Sequence, residues 1–247
     1  MENRYQYTRY NEGATLEYIR KFILEHNPFL KDYVYENNPE SLYFYQKDTQ
    51  SNNFLSIGYV VKYTGVIYRG GFNCNTSIRI VEDLLNALIA KHIHPVGDFS
   101  INFSTTIDFN KYTVYDFEMI WDSFKQFDNY DLSTNKEILD KLCEHYSNVI
   151  KQYFIPFWKK YSNIQYINDE IIDKVDQMDL ADYFGVGLVQ FKKLIIMRIC
   201  KNQRYDSYKE WLLNIYRAKE DEMKNDSEWN AKYNLFKELI EILETQY

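Results

Sequence analysis

Apolar positions recur every three or four residues along most of this chain, the period of a helix, and every second residue in one region only. That region is residues 42–109, with helical patterns on both sides of it. Leu42, Tyr43, Phe44 and Tyr45 form a short aromatic run between Pro39 and the polar stretch 48–53. Residues 54–63 make a second run through Leu55, Ile57, Tyr59, Val60 and Val61, and Val66-Ile67-Tyr68 makes a third. Thr64-Gly65 lies between these two, and a glycine supplies the positive φ of a tight hairpin turn. Residues 54–63 are also short enough to form a buried helix. Residues 78–91 change to helical spacing, with Ile80 and Val81, Leu84, Leu85, Leu88 and Ile89 on one stripe. Residues 99–109 alternate again, Phe99, Ile101, Phe103, Ile107 and Phe109 against Ser100, Asn102 and Ser104, as in a strand with one wet face.

Outside this region the pattern is helical. Leu16, Ile19, Phe22 and Ile23 predict an amphipathic helix over residues 14–26. Asn27-Pro28 reads as a cap and a first-turn proline opening a short helix to Tyr33. Helices follow over residues 113–127, from Thr134 to about Pro156, around Ile167, Ile171 and Val175, over 188–200, after Ser207, and over 227–245. Thr134 with Glu137, and Ser207 with Glu210, have capping-box spacing. Strands followed by a run of helices predict an α+β fold: a small, mainly antiparallel sheet at about 42–109 with an embedded helix, then a helical C-terminal half. A single domain spanning 1–247 is expected, and the polar stretch 128–133 is where it would divide into 1–127 and 134–247.

Composition changes this picture in three ways. Hydrophobic residues make up 45% of the 247 and charged residues 26%, which fits a folded chain and excludes wholesale disorder. The formal charge of -7 makes nucleic acid and anionic membranes poor partners, because both are held by cationic surface. Aromatics reach 18%, with 24 Tyr, which suits a recognition surface; the plainer reading is coding bias, since Asn, Ile and Lys are abundant too. Cys74, Cys143 and Cys200 are odd in number and far apart, as expected of reduced thiols. No run approaches the ~18 apolar residues of a membrane helix, so a cytoplasmic protein is expected.

Candidate chemistry is sparse. His92 and His94, with Cys143 and His145, are the residues to test as metal ligands, but Cys143 and His145 are two apart on a helix and do not share a face. The C-terminal end of a helix favours Lys91 and His92 without any metal. Gly70-Gly71 and Gly185-Val186-Gly187 lack phosphate-loop spacing, and no nucleophile elbow occurs. The carboxylate pairs, Glu82-Asp83 among them, read as solvated helix faces, and Lys192-Lys193 as the wet side of the helix over 188–200. Arg69, beside the flexible Gly70-Gly71, and Asp98 and Asp108, flanking the last strand, are the residues left for catalysis. No cofactor is expected.

One late stretch carries a family likeness. Phe154-Ile155-Pro156-Phe157-Trp158-Lys159-Lys160-Tyr161-Ser162-Asn163-Ile164 is followed by Lys193-Leu194-Ile195-Ile196-Met197-Arg198-Ile199-Cys200 and then Tyr205. This resembles the closing segment of bacterial uncharacterised or immunity-like proteins associated with polymorphic toxin systems. The resemblance implies an N-terminal helix and a sheet ahead of a helical tail, and a role in neutralising a toxin. It brings no catalytic residue with it. The expectation is therefore a non-catalytic protein-binding module whose partner is a protein such as a basic toxin domain, met by an acidic surface and a Tyr-rich sheet edge. The alternative is an enzyme of unrecognised class, with Arg69, Asp98 and Asp108 in a site between the sheet and the C-terminal helices.

Overall fold

The structure, a computed structural model, describes residues 2–33, 41–47, 50–58, 60–62, 65–67, 71–93, 106–109, 114–128, 130–175, 180, 183–184 and 188–247. In chain order the elements are α1 (Glu2–His26), β1 (Lys31–Tyr33), β2 (Ser41–Lys47), β3 (Ser51–Gly58), β4 (Val60–Lys62), β5 (Gly65–Ile67), β6 (Phe72–Ile78), α2 (Arg79–His92) and β7 (Ile107–Asp108). Then come α3 (Val114–Phe124) with a 3-10 turn Lys125–Phe127, α4 (Lys136–Val149) and the π-helical segment Ile150–Phe154. They are followed by α5 (Ile155–Tyr161), α6 (Ile164–Ile167), a second π-helical segment Asn168–Ile172, α7 (Val189–Ile199), α8 (Tyr205–Met223) and α9 (Ser227–Gln246). The fold is α+β, with a small antiparallel sheet and a helical C-terminal half. It divides into two compact units, each made of two chain segments: Met1–Asn75 with Phe109–Lys159, and Thr76–Asp108 with Lys160–Tyr247.

In the first unit the strands run in the order β1-β2-β3-β6, with β1–β2 and β2–β3 antiparallel. Register sets Leu42 opposite Ile57 and Phe44 opposite Leu55, and all four are buried. On the other face Tyr43 and Tyr45 are half-buried opposite Ser56 and Phe54. The expected tyrosine-rich edge is thus partly covered, and β2 is an inner strand because β1 pairs along it. The β4–β5 hairpin forms across Gly65 as expected, but as a separate two-stranded ribbon; residues 51–58 take β2 as partner instead.

Helix α1 packs against α4. The Tyr18 hydroxyl donates to Asp140 Oδ1 at 2.6 Å, and Lys136 Nζ donates to the same carboxylate at 2.8 Å. Lys136 and then Tyr18 hold the Asp140 carboxyl below its usual range, while that carboxylate keeps the Tyr18 proton in place and raises its pKa. Asn27 does not open a second helix. Its fully buried amide donates to Ile23 O (2.9 Å) and Ser147 Oγ (3.2 Å), ending α1, and the chain turns into β1.

The unit's core is aromatic. Phe72 has the rings of Phe117 and Phe154 at 5.3 Å, with Phe124 at 6.0 Å and Trp121 at 6.3 Å. The helix from Lys136 also does not stop at Pro156. A proline has no N–H for the carbonyl four residues back and crowds it; the wider π-helical turn Ile150–Phe154 takes up that misfit, and the helix continues to Tyr161.

In the second unit the end of β6 pairs with β7, Thr106 N–H donating to Thr76 O at 2.8 Å, and Ile107 bridges to Phe184. The rest of the expected strand, residues 99–105, lies outside the described residues. Helices α2, α7, α8 and α9 pack on one another. Stacked rings join them: Phe191 on Phe236 at 5.3 Å and Tyr216 on Tyr233 at 5.2 Å. Asn163 and Asp226 cap α6 and α9 here, as Asn135 caps α4 in the first unit. The Thr134 capping box is thus displaced by one residue. The Ser207 box does not form, because α8 starts earlier and Ser207 Oγ donates to Arg204 O at 2.9 Å. Helix α7 closes with Lys201 N–H on Arg198 O (3.0 Å) and Asn202 N–H on Met197 O (2.8 Å), a Schellman turn. It puts Lys201 at φ 53°, where glycine is usual.

Candidate functional site

The residues singled out for chemistry do not assemble into one site among the described residues. Arg69, His94 and Asp98 lie outside those residues. Asp108 is half-buried on β7. His92 closes α2, where its Nε2 is 2.6 Å from Glu238 Oε2, and Lys91 Nζ is 2.7 Å from the other oxygen. Lys91 first and His92 second hold the Glu238 carboxyl below its usual range. His92 is therefore part of a clamp between α2 and α9. No group of three or more His, Cys, Asp and Glu among the described residues is placed to hold a metal ion.

Cys143 and His145 point to different surroundings, as their spacing requires. Cys143 is fully buried, and burial pushes its thiol up to about 12, so it is not a nucleophile. Cys200 is pushed up to about 11 by the same cause and lies 3.7 Å from Ile164 O. His145 Nε2 is 2.7 Å from Ser123 Oγ, a contact with serine-hydrolase spacing. The serine proton is already engaged, because Ser123 Oγ is 2.6 Å from Ile120 O within α3. The imidazole then donates to the serine instead of deprotonating it. Burial lowers the His145 pKa and keeps the ring neutral, and the Phe124 ring stands on it edge-to-face at 4.5 Å. This pair fastens α3 to α4.

The second unit contains an ion pair in its interior. Glu82 Oε1 is 2.9 Å from Lys192 Nζ, both side chains being 4% exposed. Thr106 Oγ1 donates to Glu82 Oε1 at 2.7 Å and accepts from Ile78 N–H at 2.9 Å. The expectation of solvated faces for Glu82 and for Lys192-Lys193 is overturned. Helix α7 is buried from Phe191 to Met197 and has no wet side there. The sequence did carry a signal: Ile78, Glu82, Leu85 and Leu188, Lys192, Ile195 each follow the spacing of an apolar stripe. The neighbouring basic side chains are engaged as well. Lys193 Nζ sits 4.2 Å over the Tyr208 ring, Arg198 Nε donates to Leu243 O at 3.0 Å, and Arg204 binds Ile172 O and the Asp173 carboxylate.

The described residues of this unit form concavities, of which two stand out. One, of about 160 Å³, is bounded by Lys193, Met197, Arg204, Ser207 and Tyr208. The other, of about 680 Å³, is an open polar groove beside Lys91, His92 and Glu238. The exposed side of α8 is more distinctive. On α8, Leu212 points inward while Trp211 and Ile215, one turn apart, are 45% and 39% exposed. Adjacent residues on a helix stand 100° apart, so Trp211 and Leu212 cannot both face the same way. Acidic side chains gather nearby in the chain: residues 205–247 hold ten Asp and Glu against six Lys and Arg. Comparison with protein-family models, with curated proteins and with solved structures finds no match to this chain.

Proposed function

We propose that this protein is a non-catalytic, protein-binding module of the immunity type, and that its second unit meets a basic partner such as a toxin domain. Charge distribution carries the reading. The second unit holds 20 Asp and Glu against 15 Lys and Arg, so it accounts for five of the seven net negative charges. Glu220, Asp221 and Glu222 close α8 on its exposed side, and Asp226 and Glu228 open α9. An acidic face of this kind accelerates encounter with a cationic protein and disfavours acidic ones. The catalytic alternative draws less support: His92, His145, Cys143 and Cys200 are all engaged in packing or held as poor nucleophiles.

The test is co-expression with the secreted or toxin-like proteins encoded beside this gene, followed by titration calorimetry of any pair that forms. Binding should weaken as salt rises, and charge reversal of Glu220, Asp221 and Glu222 to Lys should slow association at least about tenfold. If no neighbouring product binds and expression relieves no toxicity, the reading fails.

A further inference from the structure

A second, independent feature of α8 points to a different occupant. The helix turns Tyr205, Tyr208 and Leu212 inward and leaves Trp211 and Ile215 outward. Ala218, one turn on, is exposed as well. Trp211 is held in place by its stack on Tyr208, at 5.5 Å and 25°. Among the described residues the six large apolar side chains exposed to solvent include only this one pair on successive turns of a helix. Such a seam is a docking face once its charges specify what lies on it.

The charges specify a second copy of this chain. In a seven-residue repeat, Trp211 and Ala218 take one seam position and Ser207 and Asn214 the other, while Glu210 and Arg217 fall together on one flank. Two α8 helices laid antiparallel about a two-fold axis set Trp211 against Asn214 of the second copy, and Ser207 against Ala218, where both side chains are small. Ile215 of each copy then lies level with Trp211 of the other, beside the axis. In the same register Glu210 of each copy faces Arg217 of the other, so the two-fold makes the pairing twice. Both side chains are exposed, and among the described residues neither has an ion-pair or hydrogen-bond partner, whereas Asp206 and Lys209 on the same helix are paired.

We propose that α8 is a self-recognition surface through which two copies of this protein associate antiparallel, with Trp211 and Ile215 at the centre and reciprocal Glu210–Arg217 pairs on the flank. One helix of 19 residues, about 28 Å long, makes a small contact, at or below the ~1,200 Å² of a stable interface, so the dimer is weak and depends on concentration. It goes beyond the partner reading and does not require it.

Sedimentation velocity from micromolar to near-millimolar concentration tests it. The wild-type chain should move from monomer toward dimer, and Trp211→Glu should hold it monomeric. Glu210→Arg and Arg217→Glu, each alone, should weaken association at least about tenfold by setting like charges together. Mixing these two single variants should restore it as a heterodimer, which no defect of folding could imitate. Circular dichroism of each variant establishes that α8 is intact. A wild-type chain that stays monomeric throughout overturns the proposal. So does a mixture that fails to associate where the wild type does, or single variants that associate as well as wild type.

Discussion

The two units solve the same problem with opposite materials. The first fills its centre with rings, Phe72 lying against five neighbouring aromatic side chains, and keeps charged groups such as Lys136 and Asp140 at the rim. The second places a carboxylate and an ammonium inside, Glu82 on Lys192, and satisfies the carboxylate further with Thr106. A ring core tolerates loss of shape gradually, because each contact is a small part of many. An interior ion pair tolerates the loss of neither partner, because the survivor is left charged and dry. Among the described residues aromatic side chains thus fill much of the interior, and charge is not confined to the surface.

The largest test of the contrast removes one half of each core. Lys192→Met should destabilise the second unit by about 3–5 kcal/mol, as an unpaired buried Glu82 requires, while Glu82→Leu combined with Lys192→Met should be neutral or stabilising. Phe72→Ala should cost the first unit about 3–5 kcal/mol, and no second substitution of opposite charge would mend it. Amide hydrogen exchange locates each effect: α2 and α7 should lose protection in the first variant, and α3 with the segment Ile150–Phe154 in the other. Equal loss everywhere from either variant would show one cooperative core and end the comparison.

Alkaline pH sharpens it next. Cys143 has a folded pKa of about 12 against an ordinary 9.0, so above pH 9 the unfolded chain gives up a proton that the folded chain keeps. Its contribution is whole below pH 9 and is lost as pH rises toward 12, by up to ~1.4 kcal/mol per pH unit. Denaturation midpoints measured across that range should fall less steeply in Cys143→Ala. Lys201→Gly should stabilise the second unit by about 1 kcal/mol, by relieving a left-handed residue at the end of α7, read as a rise in melting temperature. Smallest of all, Lys136→Ala should leave the denaturation midpoint almost unchanged, since its pair with Asp140 is exposed.

Where period alone decides, the chain was legible: β2, α2, α3, α7 and α9 lie where their apolar spacing puts them. Local signals that compete with tertiary packing were not. Asn27-Pro28 has the residues of a helix start, yet the Asn27 amide bonds back to α1 and across to Ser147, a partner 120 positions away. Pro156 has the residue type of a helix stop, yet a π-helical turn absorbs it. Charge by itself points Glu82 and Lys192 to solvent, although each stands in an apolar stripe and answers the other. Trp211 is the converse: its residue type favours the interior, and its angle around α8 leaves it 45% exposed. Arg69 and Asp98, the catalytic candidates, lie outside the described residues, and Asp108 by itself assigns no reaction.

The pairing of Glu82 with Lys192 also bears on how the protein is made. Each unit is closed by a segment that comes late in the chain, and the second is the more delayed: residues 76–108 emerge from the ribosome before the first unit's closing segment, and residues 160–247 after it. At ~5–20 residues per second, Glu82 waits on the order of ten seconds for its lysine. Through that interval the α2 segment carries a carboxylate within its apolar stripe. The charge makes that stripe a poor site for aggregation while the helix has no partner, and the arrival of Lys192 converts a solubilising residue into an interior one.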